Sequence, residues 1–464
     1  MNEDKKNILK WRKKNSYYYR WIEKIHKFVI RPNSRVLQIG CETGELLAGV
    51  NPSYGLGIDA DAAKIAVAKE QFGHLNFQVA DPHQFTIDEK FDYVIICNSL
   101  GGWHDVQKVF ENIRPAATPD TRIIIAYYNY LWEFALELGS LLKIRRPYEY
   151  QNWLSQNDIV NLLDLAGFES IRQNSFMLLP KRIWPITSIF NYFLTLLPGF
   201  RCFNLINLII ARPIPPQKPQ NELSVSVIVP CRNEKGNIAD AILRIPPMGR
   251  ETEIIFVDGS SSDGTVEEIE KQIAYHPERK IKLIHQGDGI GKGDAVRKGF
   301  AAAAGDVLVI QDADLTAPPE DLPKFFKAIC DGKGEYINGS RLVYPMEKQA
   351  MRFLNLLGNK FFSMLFTWLL GQKFKDTLCG TKMISRKNYE LIAANRSYFG
   401  EFDPFGDFDL IFGAVRQNLK VVEVPVNYKA RTYGETNISR FRHGWLLLKM
   451  SWIAFKKIKW LGKY

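Results

Sequence analysis

Cysteine is scarce and scattered in this chain of 464 residues. The six cysteines stand at positions 41, 97, 202, 231, 330 and 379, and no two of them form a CxxC pair. This spacing argues against the disulfide framework of a small secreted domain and against a zinc site built on cysteine pairs. We therefore predict a protein of the reducing cytoplasm.

Long uninterrupted apolar runs are missing as well. The N-terminal stretch MNEDKKNILKWRKKNSYYYRW has no apolar segment of the kind that a secretory signal requires. The nearest candidate for a membrane span, residues 183–200, is uncharged but is interrupted by Pro185 and Pro198, whereas a span needs about 20 mostly apolar residues. We predict no transmembrane helix and interpret residues 183–200 as a segment that lies at an interface or packs within the protein.

Acidic residues are outnumbered by basic ones. The chain has 61 Lys and Arg against 50 Asp and Glu, a formal net charge of +11, which suits a phosphate-rich ligand, an anionic membrane surface or nucleic acid. Residues 440–464 contain seven Lys or Arg and no acid, interleaved with Trp and Leu. This composition is typical of a helix at an anionic bilayer surface, so we predict a membrane-surface tail and no nucleic-acid partner.

Proline is concentrated near the middle of the chain, with four prolines within residues 213–219. Such a stretch favours an extended connection. On each side of it a short β-rich run, RVLQIG or SVSVIVP, leads into alternating helix-like and strand-like segments, which is typical of parallel-sheet α/β domains. We predict a first domain over residues 1–212, a linker over 213–223, a second domain over 224–439 and the tail over 440–464.

Three predicted strand ends in the first half offer polar or flexible residues. VLQIGCETGELLAGV predicts a strand, a loop with Gly40 and Gly44, and a helix; Asp59 and Asp81 end the next two predicted strands. A glycine loop followed about 20 residues later by an acid that binds ribose hydroxyls is typical of nucleotide sites.

This order of motifs over residues 35–128 resembles class I S-adenosylmethionine-dependent methyltransferases. The resemblance implies a Rossmann-like fold in which Gly40 and Gly44 pass close to the methionine moiety of S-adenosylmethionine, Asp59 binds the ribose and Asp81 lies near the adenine.

The chain departs from that family pattern at two positions. Gln38 replaces the acid usual at the end of the first strand, and Glu42 replaces the middle glycine. Two interpretations stay open: a methyltransferase that uses S-adenosylmethionine, and a domain that has lost catalysis and organises or regulates its neighbour.

The second half contains a pair of carboxylates at a predicted strand end. In VLVIQDAD, Asp312 and Asp314 are two residues apart, so both side chains are expected on one face of the strand. Two carboxylates held close repel unless a cation lies between them, and Mg²⁺ or Mn²⁺ satisfies such a pair together with diphosphate oxygens. We predict a metal–diphosphate site here.

Upstream strand ends supply further candidates for binding a nucleotide sugar. SVSVIVPCRNE ends on Pro230, Asn233 and Glu234, and TEIIFVDG ends on Asp258. In KLIHQGDGIGKGDAVRKG, four glycines lead into a helix, where backbone amides and Lys292 form a predicted anion site. The GxxxxGK[ST] spacing of a Walker loop is absent.

These blocks, in this order over residues 225–442, resemble inverting family 2 glycosyltransferases with a GT-A fold, and most closely polyprenyl-phosphate sugar transferases of the dolichyl-phosphate mannose or glucose synthase type. The resemblance implies that Pro230, Glu234 and Asp258 hold the nucleotide of a GDP-mannose-type or UDP-glucose-type donor, and that the carboxylate pair holds the metal.

Downstream basic residues suit an acceptor phosphate, because arginine forks pair well with phosphate oxygens. An apolar run at residues 355–370 is expected to take an isoprenoid chain. We predict as acceptor-binding residues Arg341, Arg352, Lys382 and Arg431. In the resembling family the first two arginines face the lipid phosphate, and Lys382 stands where the family has an arginine.

One further acid, Asp409 in FGDFDLIF, matches the acidic acceptor-side block of that family. Acceptor positioning, base chemistry for a hydroxyl acceptor and helix capping stay open as its role. The catalytic candidates are Asp312, Asp314, Arg341, Arg352 and Asp409.

Together these motifs predict two Rossmann-like α/β domains: a methyltransferase-like domain, fused to a metal-dependent inverting glycosyltransferase. The predicted reaction moves a sugar from a nucleotide sugar to a polyprenyl phosphate at the cytoplasmic face of the membrane. Two alternatives stay open. One is a glycosyltransferase with a sugar-hydroxyl acceptor, and the other is a membrane-docked scaffold with decayed nucleotide sites.

Overall fold

The computed structural model describes residues 10–144, 151–289, 291–345, 353–398, 406, 408–434 and 440–459. The chain divides into two compact units, with the boundary between Pro215 and Pro216. Within the described part of the chain, no helix combines the length and the apolar character that crossing a membrane requires.

The first unit contains seven strands: β1 (Arg35–Ile39), β2 (Tyr54–Asp59), β3 (Asn76–Val79), β4 (Tyr93–Cys97), β5 (Arg122–Tyr128), β6 (Phe168–Phe176) and β7 (Ile206–Pro213). They form one sheet in the order β3–β2–β1–β4–β5–β7–β6. Strands β1 to β5 are parallel, whereas β7 is antiparallel to β5 and β6. The carboxyl ends of the first five strands therefore share one edge of the sheet.

Helices cover both faces of this sheet. They are α1 (Ser16–Val29), α2 (Glu45–Gly49), α3 (Ala62–Gln71), α4 (Val106–Ile113), α5 (Glu133–Leu141), α6 (Gln156–Leu165), α7 (Ile186–Tyr192) and α8 (Pro198–Arg201). Trp21 and Ile25 of α1 pack on one face, and Phe110 of α4 and Leu163 of α6 pack on the other. Central strands such as RIIIAYY are continuous apolar runs because both of their faces are buried.

The second unit contains another seven strands: β8 (Ser224–Cys231), β9 (Glu251–Asp258), β10 (Lys280–His285), β11 (Val307–Ile310), β12 (Tyr336–Ser340), β13 (Lys382–Ser385) and β14 (Val421–Pro425). Their order is β10–β9–β8–β11–β13–β12–β14. Only β13 runs antiparallel to its neighbours, β11 and β12.

The helices of the second unit are α9 (Lys235–Arg244), α10 (Thr265–Tyr275), α11 (Gly291–Ala302), α12 (Leu322–Cys330), α13 (Phe353–Leu370), α14 (Arg386–Ala394), α15 (Phe408–Arg416) and α16 (Arg440–Ala454), followed by a π-helical turn at Phe455–Lys459. Ile238 and Ile242 of α9 pack with Phe325 of α12 in the core of the sheet. The alternation β8–α9–β9–α10–β10–α11–β11 places the first four strand ends at one edge.

Backbone hydrogen bonds hold the proline-rich segment between the units at both ends. The Ile214 N–H donates to the Gly167 carbonyl at 3.0 Å within the first unit, and the Lys218 N–H donates to the Cys330 carbonyl at 2.8 Å within the second. Strand β7 extends to Pro213, and Gln220–Glu222 form a 3₁₀ turn.

Candidate active site

Two carboxylates follow β11 at the carboxyl edge of the second sheet. The strand ends at Ile310, and Asp312 and Asp314 lie in the turn after it, where the Leu315 N–H donates to the Asp312 carbonyl at 3.2 Å. The sequence predicted the pair on the strand itself. The turn fixes Asp314, because the N–H and the hydroxyl of Thr316 donate to its Oδ1 at 3.1 and 2.9 Å.

The two carboxylates differ in their surroundings. Lys292, near the start of α11, forms an ion pair with Asp312. Burial works against ionisation of Asp312, but Lys292, followed by Lys382 and Arg341, holds its pKa below the ordinary value. Burial and the charge of Asp312 raise the pKa of Asp314. The pair is therefore close enough to repel, and a cation at Asp314 would relieve the repulsion.

Arg431 connects this pair to the end of β8. Its Nη2 forms an ion pair with Glu234 and lies 3.8 Å from Asp314 Oδ2. Burial raises the pKa of Glu234, and Arg431 opposes that rise. Asn237 Nδ2 also donates to Glu234 Oε2 at 2.7 Å. The sequence assigned Glu234 to the nucleotide and Arg431 to the acceptor, whereas the structure brings both into one cluster with Asp314.

Asp258 and Asn233 shape the loop that follows β9. Asp258, which is buried, accepts the N–H of Ser260 at 3.1 Å and that of Ser261 at 3.3 Å. Asn233 accepts the N–H of Ser262 at 2.8 Å through Oδ1, and its own N–H donates to Ser261 Oγ at 2.9 Å. These bonds fix the loop beside the end of β8, where Pro230 pairs in register with β9.

One glutamine ties the glycine-rich loop before α11 to the strand ends. The Gln286 N–H donates to the Asp258 carbonyl at 2.8 Å, and its Nε2 donates to the Gly291 carbonyl at 2.9 Å and to Asp294 Oδ2 at 3.0 Å. Gly287 has a φ of 62°. A Cβ there would meet no atom within 4 Å, so the loop is open on that side. Sequence reasoning missed Gln286, although its position directly after β10 was a usable signal.

Residues 426–434, which we call the crossing segment, run from β14 across the carboxyl edge. The Lys429 N–H donates to the Thr316 carbonyl at 2.9 Å, beside the carboxylate pair. Farther along, the Tyr433 hydroxyl donates to Asp263 Oδ2 at 3.4 Å. This path delivers Arg431 to Glu234. Sequence reasoning named the arginine but missed the path, since nothing in the pattern shows where a chain leaves its strand.

Arg341 forms a two-point ion pair with a buried carboxylate. Its Nε and Nη2 donate to the two oxygens of Asp376 at 2.7 and 2.9 Å, and its backbone N–H donates to the same group at 3.0 Å. The Asp376 side chain has no exposed surface. Burial lowers the pKa of Arg341, but the Asp376 carboxylate outweighs it and holds the pKa above the ordinary value. The predicted acceptor arginine is therefore also a structural partner.

Three other predicted residues remain. Lys382 lies close enough to lower the pKa of Asp312, Asp409 pairs with a different arginine, and one residue is not among those described. Lys382 is buried at the start of β13, where its Nζ donates to Asn338 Oδ1 at 3.0 Å and to the Cys379 carbonyl. Asp409, in the first turn of α15, forms a 2.6 Å ion pair with Arg396. Arg352 lies outside the described residues. Their acceptor-side roles stay predictions.

The glycine loop of the first unit follows β1 as predicted. Gly40 and Gly44 have φ of 69° and 84°, and a Cβ at Gly44 would collide with the Phe77 ring. Both oxygens of Asp59, at the end of β2, accept backbone N–H groups, from Glu42 at 2.9 Å and from Asp61 at 3.0 Å.

Asp81 lies two residues beyond β3 and is partnered by a histidine. The Oδ1 of Asp81 accepts the backbone N–H of His83 at 2.9 Å and lies 2.8 Å from its Nδ1. These hydrogen bonds lower the pKa of Asp81. His83 stacks on His104 with ring centroids 3.9 Å apart, and the neighbouring Asp105 caps α4 by accepting the Lys108 N–H at 2.9 Å.

The N-terminal helical residues close the cavity beside this loop. Arg12 lies 3.0 Å from Glu45 and 3.9 Å from Glu42, and it stacks on Tyr19. The cavity between these side chains and the loop has a volume of about 30 Å³, enough for water alone. Gln38 lines it, and its Oε1 has no hydrogen-bond partner among the described residues. The lining of this cavity does not include Asp59 or Asp81, so Arg12 and its glutamate partners narrow the part of the site beside Gly40.

Family models match both parts of the chain. A model described as a methyltransferase domain matches residues 11–173, and the glycosyl transferase family 2 model matches residues 226–392. The chain joins a methyltransferase-type domain to a family 2 glycosyltransferase domain. The matches and the two sheet orders confirm the predicted fold class of two Rossmann-like α/β domains, methyltransferase-like and GT-A.

Several curated relatives are named as sugar transferases of dolichol or undecaprenyl phosphate. A dolichol-phosphate mannosyltransferase from Pyrococcus furiosus is 30% identical over 246 residues, covering 52% of this chain and 65% of the relative. A protein of the same name from Saccharomyces cerevisiae is 41% identical over 114 residues, covering 24% and 42%. An undecaprenyl-phosphate 4-deoxy-4-formamido-L-arabinose transferase from Edwardsiella ictaluri is 32% identical over 112 residues, covering 23% and 34%. The chain thus spans less than two thirds of the length of each.

The closed cavity of the methyltransferase-type domain gives a testable prediction. We expect S-adenosylhomocysteine to leave the melting temperature of the wild-type chain unchanged and to raise that of Arg12→Ala, because a ligand stabilises only a folded state that admits it. Arg20→Ala, on the exposed side of α1, is the matched control. A clear shift in the wild-type chain, or none in Arg12→Ala, would refute closure by Arg12.

Proposed function

We propose that the glycosyltransferase domain transfers a sugar from a nucleotide-diphosphate donor to a polyprenyl phosphate. The observation that carries the proposal is the cluster of Asp312, Asp314, Glu234 and Arg431 at the carboxyl edge of the sheet. Ligands of open α/β sheets bind at this edge, and the relatives named above act, by their names, on dolichol or undecaprenyl phosphate.

The carboxylate pair fits a divalent cation. Its donor set is two carboxylates whose charges oppose each other, and Mg²⁺ or Mn²⁺ is commonly held by one or two carboxylates plus substrate phosphate oxygens. Asp312 and Asp314 would hold it. When bound, the ion neutralises charge on the departing diphosphate. No group of three or more acidic, His or Cys side chains that would form a self-sufficient metal cage occurs in the described residues.

The chain's own residues account for donor binding. The loop fixed by Asp258 and Asn233 offers a nucleotide a rigid surface, and the helix start at Lys292 offers it positive charge. Arg431 lies between the nucleotide side and the metal side, where its guanidinium can pair with a diphosphate in place of Glu234.

The transfer step needs little acid–base chemistry from the protein. A phosphate monoester has a second pKa of about 6, so its oxygen is already ionised near neutral pH. That oxygen forms a bond to the anomeric carbon while the bond to the diphosphate breaks, and the nucleoside diphosphate leaves with the electron pair. The domain must hold both anions and align them.

Two helices form an apolar surface for the acceptor's chain. Phe366 of α13 stacks against Phe412 of α15 at 5.5 Å in the interior, and Trp368 of α13 stacks on Phe455 after α16 at 5.9 Å. These stacked rings hold the helices in place.

The other faces of α13 and α16 present exposed apolar side chains. They are Leu357, Phe361 and Met364 on α13 and Trp445, Leu448 and Trp452 on α16. These side chains and nearby lysines suit peripheral attachment to a membrane.

The test is donor binding by calorimetry. We expect one nucleotide sugar, of a panel that includes GDP-mannose and UDP-glucose, to bind only when Mn²⁺ is present. Asp240→Asn, an exposed position on α9, should bind like the wild type. If no member of the panel binds with Mn²⁺, the scaffold alternative replaces the proposal.

A further inference from the structure

The methyltransferase-type domain carries a large exposed apolar surface of its own. Of the eighteen large apolar side chains exposed in the described part of this domain, fifteen lie in residues 130–144 and 183–203. We call these two segments together the apolar edge surface. Soluble monomers rarely expose such a concentration of apolar groups unless it contacts a partner or a membrane.

The fold brings the two segments side by side. Strand β5 ends at Tyr128, directly opposite Ile206 at the start of the antiparallel β7. The segment after β5 and the segment before β7 therefore leave the sheet at the same point. Trp132 Nε1 donates to the Phe203 carbonyl at 2.7 Å, and Asn129 Nδ2 donates to the Cys202 carbonyl at 2.7 Å.

The most prominent side chains are bulky and stand well out of the surface. Trp184 is 79% exposed, Phe134 78% and Phe193 60%. Polar groups inside the two segments are satisfied locally: Asn191 Oδ1 accepts the N–H of Leu178 at 2.7 Å. The protein thus orders this backbone without burying the apolar side chains that it presents.

Basic residues outnumber acidic ones around the surface, although its α5 segment carries two exposed acids. Residues 170–221 contain no Asp or Glu. Lysines and arginines frame the segments, and contacts place several of them together: Lys181 Nζ donates to the Lys14 carbonyl at 3.0 Å, and Lys14 Nζ donates to the Lys143 carbonyl at 2.6 Å. The segments themselves contain two acids, Glu133 and Glu137 on α5, and two basic residues, Lys143 and Arg201, so the excess of positive charge comes from the flanking residues.

We propose that the apolar edge surface docks on an anionic lipid bilayer. Aromatic and aliphatic side chains would enter the interfacial region while the basic frame pairs with anionic headgroups. A second copy of the chain is a poorer occupant, because a self-complementary interface would bring two basic frames together. The proposal is independent of the glycosyl transfer, since it concerns the other domain and asks only for a bilayer.

A cysteine of the surface provides an attachment site for a fluorescent probe. Cys202 is exposed and lies within the surface, whereas Cys41, Cys231, Cys330 and Cys379 are buried and Cys97 is partly buried. Burial raises the pKa of Cys97, which slows its alkylation. A polarity-sensitive fluorophore on Cys202 of the full chain should shift to the blue when vesicles of phosphatidylcholine with phosphatidylglycerol are added. With phosphatidylcholine alone we expect a smaller shift.

A double variant separates this surface from other lipid contacts. Trp184→Ser with Phe193→Ser should weaken vesicle binding of the full chain on the order of tenfold or more and abolish the Cys202 shift. The matched control is Leu165→Ser, which removes a side chain 68% exposed on α6 of the same domain. It should bind as the wild type does.

Three results would overturn the proposal: an unshifted Cys202 fluorophore on vesicles, unchanged vesicle binding of the double variant, or a wild-type dimer in sedimentation that the double variant converts to monomer without any change in vesicle binding. Donor binding by the glycosyltransferase domain should be the same in all these variants. Loss of donor binding in a variant would show that the glycosyltransferase domain itself is damaged. The vesicle-binding result would still report on the apolar edge surface.

Discussion

Asp314→Asn should lower the transfer rate on the order of a thousandfold while leaving the fold intact. The amide keeps an oxygen where Thr316 donates its N–H and hydroxyl, at 3.1 and 2.9 Å, so the turn has no reason to rearrange. The substitution removes the charge that a cation needs at this position. Loss of a single preorganised charge-stabilising group in an active site costs about a hundredfold to a thousandfold in rate.

The measurement is the rate of sugar transfer at saturating donor and acceptor, with the melting temperature measured alongside. Asp240→Asn is the matched control, because it removes one carboxylate from an exposed helix position. Transfer by Asp314→Asn at the wild-type rate would contradict the role of the carboxylate pair. A collapse of the melting temperature would instead indicate a structural role for Asp314.

Arg341→Ala should destabilise the glycosyltransferase domain by about 3–5 kcal/mol, because it leaves a buried charge without its partner. Asp376 is buried and receives three hydrogen bonds from Arg341. At neutral pH the loss acts through Asp376, which would stay buried without its partner. Burial raises the pKa of this carboxyl, and Arg341 opposes that effect and holds the pKa low. The free energy of unfolding is measured by denaturant titration of the full chain.

Arg244→Ala is the matched control for Arg341→Ala. Arg244 forms a similar paired contact with Glu320, at 2.8 and 3.1 Å, but on the surface. Exposed pairs contribute at most about 1 kcal/mol. If Arg341→Ala raises the acceptor KM without loss of stability, the guanidinium acts mainly on the acceptor and the structural assignment is wrong.

Most of the fold was predictable from local pattern. Largely apolar runs such as SVSVIVP and RVLQIG became the central strands β8 and β1, since burial of both sheet faces favours apolar residues there. The pattern failed where strands end. VLVIQDAD was predicted as strand through Asp314, but β11 stops at Ile310 because the chain turns there, with Leu315 at a φ of 52°.

The residues of the site were predictable from the sequence, but the contacts between them were not. Asp312, Glu234 and Asp258 were found because each lies at the end of an apolar strand or within three residues of it. Pairings across long separations in sequence leave no local signal, so the ion pair of Glu234 with Arg431 and the fork of Arg341 on Asp376 could not be anticipated. The same limit applies to Gln38 and Glu42, whose departures from the family pattern hinted at altered binding but not at closure by Arg12.

The central claim is most directly tested by identifying the product. The full chain is incubated with Mn²⁺, the nucleotide sugar that binds in calorimetry, and either a polyprenyl phosphate or the same polyprenol without its phosphate. The account predicts a sugar joined through phosphate to the lipid, detected by mass spectrometry, with the anomeric configuration inverted and with no product from the polyprenol or after chelation of the metal. Transfer to the hydroxyl of the polyprenol would contradict the account, as would the absence of any transfer to the polyprenyl phosphate.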